Sequence, residues 1–131
     1  MDLGENGLKS VNRIRKFFCI ARKAAESGDS KDAKRTYRIG AVGVRTDGAI
    51  VISNNICTRK PHPTAHAEAR LTKKLNVGSV VYVVRIGRDN RLLPARPCKN
   101  CRGIMAVRRI SRCYYSISDH EYGILEWNKT A

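Results

Sequence analysis

Residues 79–86 read Ser-Val-Val-Tyr-Val-Val-Arg-Ile, a nearly unbroken apolar stretch rich in β-branched side chains. Such a run does not alternate apolar with polar, so it suits a strand buried on both faces. A strand of that kind needs cover above and below. The flanking sequence supplies helices. Over 8–27, Val11, Ile14, Phe18, Ala21 and Ala25 share one face at about 100° per residue, with Lys9, Arg13, Lys16 and Lys23 roughly opposite. Residues 64–76 have helical composition and start on Thr64, a side chain suited to an N-cap. A further helix is expected over 98–109, after a loop holding Pro94 and Pro97. Other apolar runs read as strands. Those at 39–44 and 49–53 flank Thr46-Asp47-Gly48, a strong hairpin signal. Those at 112–118 and 122–127 are separated only by Asp119-His120-Glu121 and should pair antiparallel. Residues 28–36 read as a polar connection and 1–7 as a frayed terminus, with no repeat or low-complexity linker. The order α-β-β-α-β-α-β-β predicts an α/β fold, a three-layer α/β/α sandwich with a five-stranded mixed sheet. One domain over 1–131 accommodates it. In such sheets, sites form at the carboxyl ends of strands, where helices begin.

Composition narrows the class. Apolar residues make up 42% of the chain and fall in short runs, which argues for a folded core and against a disordered basic tail. No run approaches the roughly 18 apolar residues of a membrane span. The first seven residues carry Asp2 and Glu5 and lack an apolar core, so they do not read as a secretory signal. The default expectation is a soluble intracellular protein with no membrane partner. The cysteines are Cys19, Cys57, Cys98, Cys101 and Cys113; an odd number cannot pair completely. A close Cys-x-x-Cys pair in a reducing compartment more often binds metal or does redox chemistry than forms a structural bridge.

Two short motifs stand at expected helix starts: His66-Ala67-Glu68, and Pro97-Cys98-Lys99-Asn100-Cys101. Their residue types suit hydrolysis at a metal. A catalytic zinc takes three protein ligands and keeps a fourth position open, and it lowers the pKa of water to about 7. His66, Cys98 and Cys101 supply three ligands. The x-x spacing in a first helical turn lets both sulfurs face one ion, and the helix N-terminus favours their thiolate forms. Glu68, two residues beyond His66, is placed to shuttle protons without ligating the metal. Two other readings compete. Cys57 and His62 can join His66, Cys98 and Cys101 in a closed structural zinc knot. Cys98-Lys99-Asn100-Cys101 can also act as a redox pair. Neither accounts for Glu68.

Together the two motifs resemble the cytidine and deoxycytidylate deaminase superfamily, the zinc-dependent nucleobase deaminases. The resemblance spans residues 38–127, in element order as well as in motifs. It implies a cytidine-deaminase-like fold, one Zn2+ per chain on His66, Cys98 and Cys101, and Glu68 as the catalytic proton shuttle. It further implies that Asn55, or else Asn54, contacts the sugar. The backbone N–H of Ala67 and the carbonyl near Pro97 would hold the base. Histidine in the first ligand position is closer to the deoxycytidylate, tRNA-adenosine and polynucleotide branches than to free-cytidine deaminases, whose ligands are three cysteines. Arg96 departs from the usual Ser or Glu and adds a cation near the pocket. Insertions that carry allosteric nucleotide sites in some deoxycytidylate deaminases are missing.

Charge bears on the substrate. There are 26 Lys and Arg against 11 Asp and Glu, a formal net charge of +15, which draws polyanions at long range. Arg59, Lys60 and His62 precede the first motif, and Arg85, Arg88, Arg91, Arg96, Lys99 and Arg102 surround the second. Arg59, Lys60, His62, Lys99 and Arg102 are the candidate phosphate contacts. Single-strand binders add aromatic platforms; Tyr114, Tyr115, Tyr122 and Trp127 are the best placed. The expected activity is conversion of cytosine to uracil in single-stranded DNA or RNA. The alternatives are a cytidine or deoxycytidine mononucleotide, with Arg59, Lys60 and Arg96 on its phosphate, a tRNA adenosine, or an inactive nucleic-acid-binding module. The oligomeric state is left open.

Overall fold

The computed structural model describes residues 4–27, 37–54, 66–87 and 89–127. Helix α1 spans Gly4–Glu26. Strands β1 (Tyr37–Val44) and β2 (Ile50–Asn54) form the expected hairpin, with Gly48 at φ 89° in its turn. Helix α2 (Ala67–Thr72), strand β3 (Val80–Gly87), a two-residue strand β4 (Leu92–Leu93), helix α3 (Lys99–Val107) and strands β5 (Arg112–Ser116) and β6 (Tyr122–Glu126) follow. The sheet order is β2-β1-β3-β5-β6, with β4 paired to the end of β3. Only β3 and β5 run parallel; every other pairing, β5 with β6 included, is antiparallel.

The strand expected to be covered twice is β3. Its Tyr82, Val84 and Ile86 pack with Ile14, Phe17, Ala21 and Ala25 of α1. Its Val81 and Val83 pack on the other side with Ala69 and Leu71 of α2 and Cys101 and Met105 of α3. The result is the expected three-layer α/β/α arrangement. Among the described residues no helix is long and apolar enough to cross a membrane.

The structure departs from the sequence reading in four places. The sheet has six strands, because Leu92 and Leu93 pair with Ile86 and Arg85. Two leucines before a proline carry no alternation to read. Helix α1 starts at Gly4, so it takes in residues 4–7. Its buried face is turned slightly from the expected one. Phe17 and Ala24 are buried while Phe18 is half-buried, because the Phe17 ring stacks on Tyr82 at 4.9 Å. Helix α2 is capped by His66 and ends at Thr72. There Lys74 and Leu75 donate to the carbonyls of Leu71 and Thr72, a tighter i→i+3 turn that ends the helix before the expected 76. The expected cap, Thr64, lies outside the described residues.

Helix α1 sits low on the sheet at Gly40. A Cβ there would land on the Ala21 carbonyl oxygen and the Ala25 amide, both helix backbone. Backbone cannot step aside as a side chain tip can, so Gly40→Ala must lift the helix. We expect it to destabilise the fold by about 2 kcal/mol or more, read as a lowered urea midpoint with an unchanged m-value.

Candidate metal centre

The turns that start α2 and α3 meet at one end of the sheet. His66 is the N-cap of α2, in extended conformation, and its side chain makes no cap hydrogen bond. Its imidazole is therefore free for another partner. Cys98 is the N-cap of α3, and its Sγ accepts from the Cys101 N–H at 3.5 Å. A sulfur at that position faces the positive end of the helix dipole. Backbone ties hold the two starts in place. Ala95 N–H donates to Ser116 O at 2.8 Å, and the Ser116 hydroxyl donates to Leu93 O at 2.8 Å. The segment leading to the buried Pro97 is thus pinned along β5. Arg70 of α2 donates to the Asn54 carbonyl at 2.6 Å, which ties that helix to the end of β2.

Nδ1 of His66 lies 3.7 Å from Cys98 Sγ and 3.4 Å from Cys101 Sγ. All three donor atoms fall within 4.8 Å of one another. A tetrahedral zinc with Zn–S near 2.3 Å and Zn–N near 2.05 Å has an S···N edge of about 3.5 Å. The two measured edges bracket that value, so the donor set fits zinc in both chemistry and spacing. Among the described residues it is a three-donor set, as an open catalytic site requires.

Burial pushes the Cys101 thiol up, and the neighbouring Glu68 and Cys98 push it the same way. Cys113 of β5, fully buried in the same cluster, is raised by burial, then by Glu68 and Cys101. Sulfurs so placed are costly to ionise alone, and a divalent ion reverses that by its own charge. Glu68 is 4% exposed. Burial pushes its carboxyl up, against smaller lowering effects of its own backbone amide, His66 and Cys101. Its Oε1 is buried with no hydrogen-bond partner among the described residues. A buried carboxylate oxygen without a partner is expensive to keep, and functional sites are where such groups are retained.

The structure thus brings together His66, Glu68, Cys98 and Cys101, with Ala67 in the first turn of α2 and Pro97 beside Cys98. Arg96 and Lys99 are exposed, while Arg102 is half-buried with a buried, unpartnered Nε. Asn55, Cys57, Arg59, Lys60, His62 and Arg88 lie outside the described residues. Asn54, the second choice for a sugar contact, donates through its amide to the Ala24 carbonyl at 3.3 Å and accepts from Arg70 at 3.4 Å, which ties it to α1 and α2. Of the four aromatic side chains, Tyr122 is exposed and the others pack in or against the core. Tyr114 is buried and stacked on Tyr82 at 5.0 Å, and it packs with Tyr122 on the α1 side of the sheet, away from the metal donors. Tyr115 and Trp127 face the other way and pack against the core beneath α3.

One electrostatic feature emerges when the two motifs are placed together. Between Glu68 and Asp119 the chain carries twelve Lys and Arg and one acid, Asp89. That segment includes both motif helices, and Asp89 is engaged with Arg91 at 3.3 Å.

The profile of the cytidine and deoxycytidylate deaminase zinc-binding region matches residues 11–117. No curated protein matches in sequence. Among solved structures, the chain is similar to a cytidine deaminase from Burkholderia pseudomallei, with TM-score 0.65 at 16% identity, covering 86% of this chain and 91% of that one. It is also similar to a cytidine deaminase from Mycobacterium leprae, with TM-score 0.58 at 15% identity over 86% of this chain and 91% of that one. A third, from Mycobacterium tuberculosis, has TM-score 0.55 at 15% identity over 78% and 82%.

The donor geometry predicts one zinc ion per chain. Cys98 is exposed, so Cys98→Ser should leave the fold intact yet lose its zinc on dialysis against a chelator. Cys19→Ser, an exposed control on α1, should retain zinc under the same treatment. Elemental analysis with circular dichroism reads both.

Proposed function

We propose that this chain, which belongs to the cytidine and deoxycytidylate deaminase family, hydrolyses cytosine to uracil and ammonia, and that its cytosine is carried in single-stranded nucleic acid. On this reading residues 1–131 act as one catalytic domain. Zinc on His66, Cys98 and Cys101 supplies the Lewis acid that makes water a nucleophile at neutral pH. Glu68 would carry one proton from the attacking water to the ring nitrogen and, in a second transfer, the proton of the hydroxyl so formed to the amine, which leaves as ammonia while the C–N bond breaks and the carbonyl of uracil forms. The carrying observation is its Oε1: buried, unpartnered and next to a three-donor metal set. A carboxyl raised by burial holds and releases a proton more readily near neutrality than an exposed one. The N–H of Ala67 and the carbonyl of Pro97 flank the donors and are the backbone groups suited to holding the base. Asn55 is the family-derived candidate for the sugar.

The polynucleotide assignment is supported by the near absence of acids between Glu68 and Asp119. One phosphate needs a few cations, and this segment has twelve. With Tyr114 buried and Tyr122 on the α1 side of the sheet, on this reading the strand is held mainly by its phosphates. The second reading, a free cytidine nucleoside or nucleotide, is favoured by the likeness to solved cytidine deaminases.

Glu68→Gln should keep fold and zinc while turnover falls at least about a hundredfold, because an amide cannot accept and return the proton. A variant with near-normal turnover removes Glu68 from the mechanism. Deamination of a cytosine-containing single strand and of deoxycytidylate, compared across a salt series, decides the substrate. Strand turnover that weakens steeply with salt supports the polynucleotide; efficient turnover of the mononucleotide with none of the strand overturns it.

A further inference from the structure

We propose that the valley between α2 and α3 receives the sugar-phosphate backbone of single-stranded nucleic acid whose base occupies the metal site; this rests on the polynucleotide reading above. The valley encloses about 630 Å³ and is lined by Thr72 and Lys73 from α2 and by Lys99, Ile104, Val107 and Arg108 from α3, among others. It starts at the turn that carries Cys98. It ends where the Arg108 guanidinium donates to the Lys73 carbonyl at 3.3 Å. Nine residues of α3 give it a length of about 13 Å, enough for a few nucleotides of backbone.

Its chemistry fits a polyanion with apolar parts. Lys73 and Lys99 are exposed, and neither ammonium has an ion pair among the described residues. Among the described residues no acid lines the valley. Its lining has apolar parts: Ile104 is half-buried and Val107, 87% exposed, stands at its rim, a surface for sugar and base faces between the phosphates. Gly103 opens the middle of α3 toward the valley. A Cβ there would meet nothing within 4 Å, so no neighbour inside the protein demands the glycine, and its bareness admits a close approach from outside. A second copy docked on the same face would set Lys73, Lys99 and Arg108 against their own equivalents, and like charges repel. A strand brings the opposite charge at regular intervals.

The test measures binding of a labelled single-stranded oligocytidine by fluorescence anisotropy over a salt series, on zinc-loaded protein of verified metal content. Lys73→Gln with Lys99→Gln is compared with Lys16→Gln and Lys23→Gln on α1, which removes the same charge from another layer. If the valley holds two phosphates, the first pair makes the slope of log affinity against log salt shallower by about 1.4, and the second pair leaves it unchanged. Val107→Glu, an exposed substitution that does not touch the core, should also weaken binding. Equal losses from both lysine pairs overturn the proposal in favour of diffuse charge. Unchanged strand binding in all variants overturns it in favour of another occupant, such as an acidic peptide. Conversion of an oligomer to monomers by Val107→Glu, with strand binding intact, overturns it by making this face a subunit contact. Failure of the parent protein to bind any strand, while it still turns over deoxycytidylate, sinks the polynucleotide reading itself, a different result from loss of the valley alone.

Discussion

Strand β3 is apolar on both faces, and the rest of the arrangement follows from covering it. Tyr82, Val84 and Ile86 require one layer and Val81 and Val83 another. Helix α1 meets the first need and the α2–α3 pair the second. Connectivity then fixes where the site forms. A tight turn through Asn76 and Gly78 joins α2 to β3, so the helix runs opposite to the strand. The chain returns from the far end of β3 into α3, which again runs opposite to it. Both helices therefore begin at the carboxyl end of β3, and whatever caps them is brought together. The caps are His66 and Cys98. The metal donors converge because a buried strand between two antiparallel helices leaves their N-termini no other place, which is the general reason sites gather at this edge of α/β sheets.

Such a convergence is costly unless something fills it. Cys101, Cys113 and Glu68 are buried close together, and burial works against the charged form of each. Left alone, the cluster would be a weak point in the core. A divalent cation would change the sign of the problem for Cys101, which is one of the donors, while Cys113 stays a core thiol outside the donor set. The carboxyl is different, since among the described residues its Oε1 has no hydrogen-bond partner. Packing around it is tight: Ala67, Ala69 and Leu71 are all buried. The carboxyl stays rigid while one oxygen remains available, the combination a positioned acid–base group requires.

How far the sequence could be read follows from the length of each signal. The eight-residue run of β3 and the two motifs at helix starts are long or chemically distinctive, and they placed the layers and the metal donors correctly. The two-residue β4 was invisible, because pairing of Leu92 and Leu93 depends on where β3 ends. The turn of α1 was off because Phe17 and Phe18 are adjacent and equally apolar; only the Tyr82 ring decides which is buried. Tyr114 and Tyr115 illustrate the same limit. They are neighbours on a strand and so face opposite sides; one joins the stack under α1 and the other the core beneath α3. As a pair they looked available for stacking on bases, and tertiary packing claimed them both. Asn54 went the same way, held by Ala24 and Arg70.

With Tyr114 in the core, Tyr115 and Trp127 packed against it and Tyr122 on the α1 side of the sheet, charge is the feature beside the metal donors that bears on substrates. Exposed charges act over roughly a Debye length, about 10 Å at 0.1 M salt. The valley beside α3 starts within one helical turn of the metal donors, inside that range. A neutral nucleoside gains nothing from such a field. A single phosphate gains once, and a strand gains with every phosphate that reaches a lysine or arginine, releasing counterions each time. A site-bearing segment with twelve cations and one acid offers the largest of these gains to a polyanion. Its cationic excess also has a cost, since self-repulsion among like charges works against the compact state. Within that segment Lys73, Lys99 and Arg108 line the valley itself, with no acid among its described lining residues, so the compensating negative charge there can arrive with a ligand.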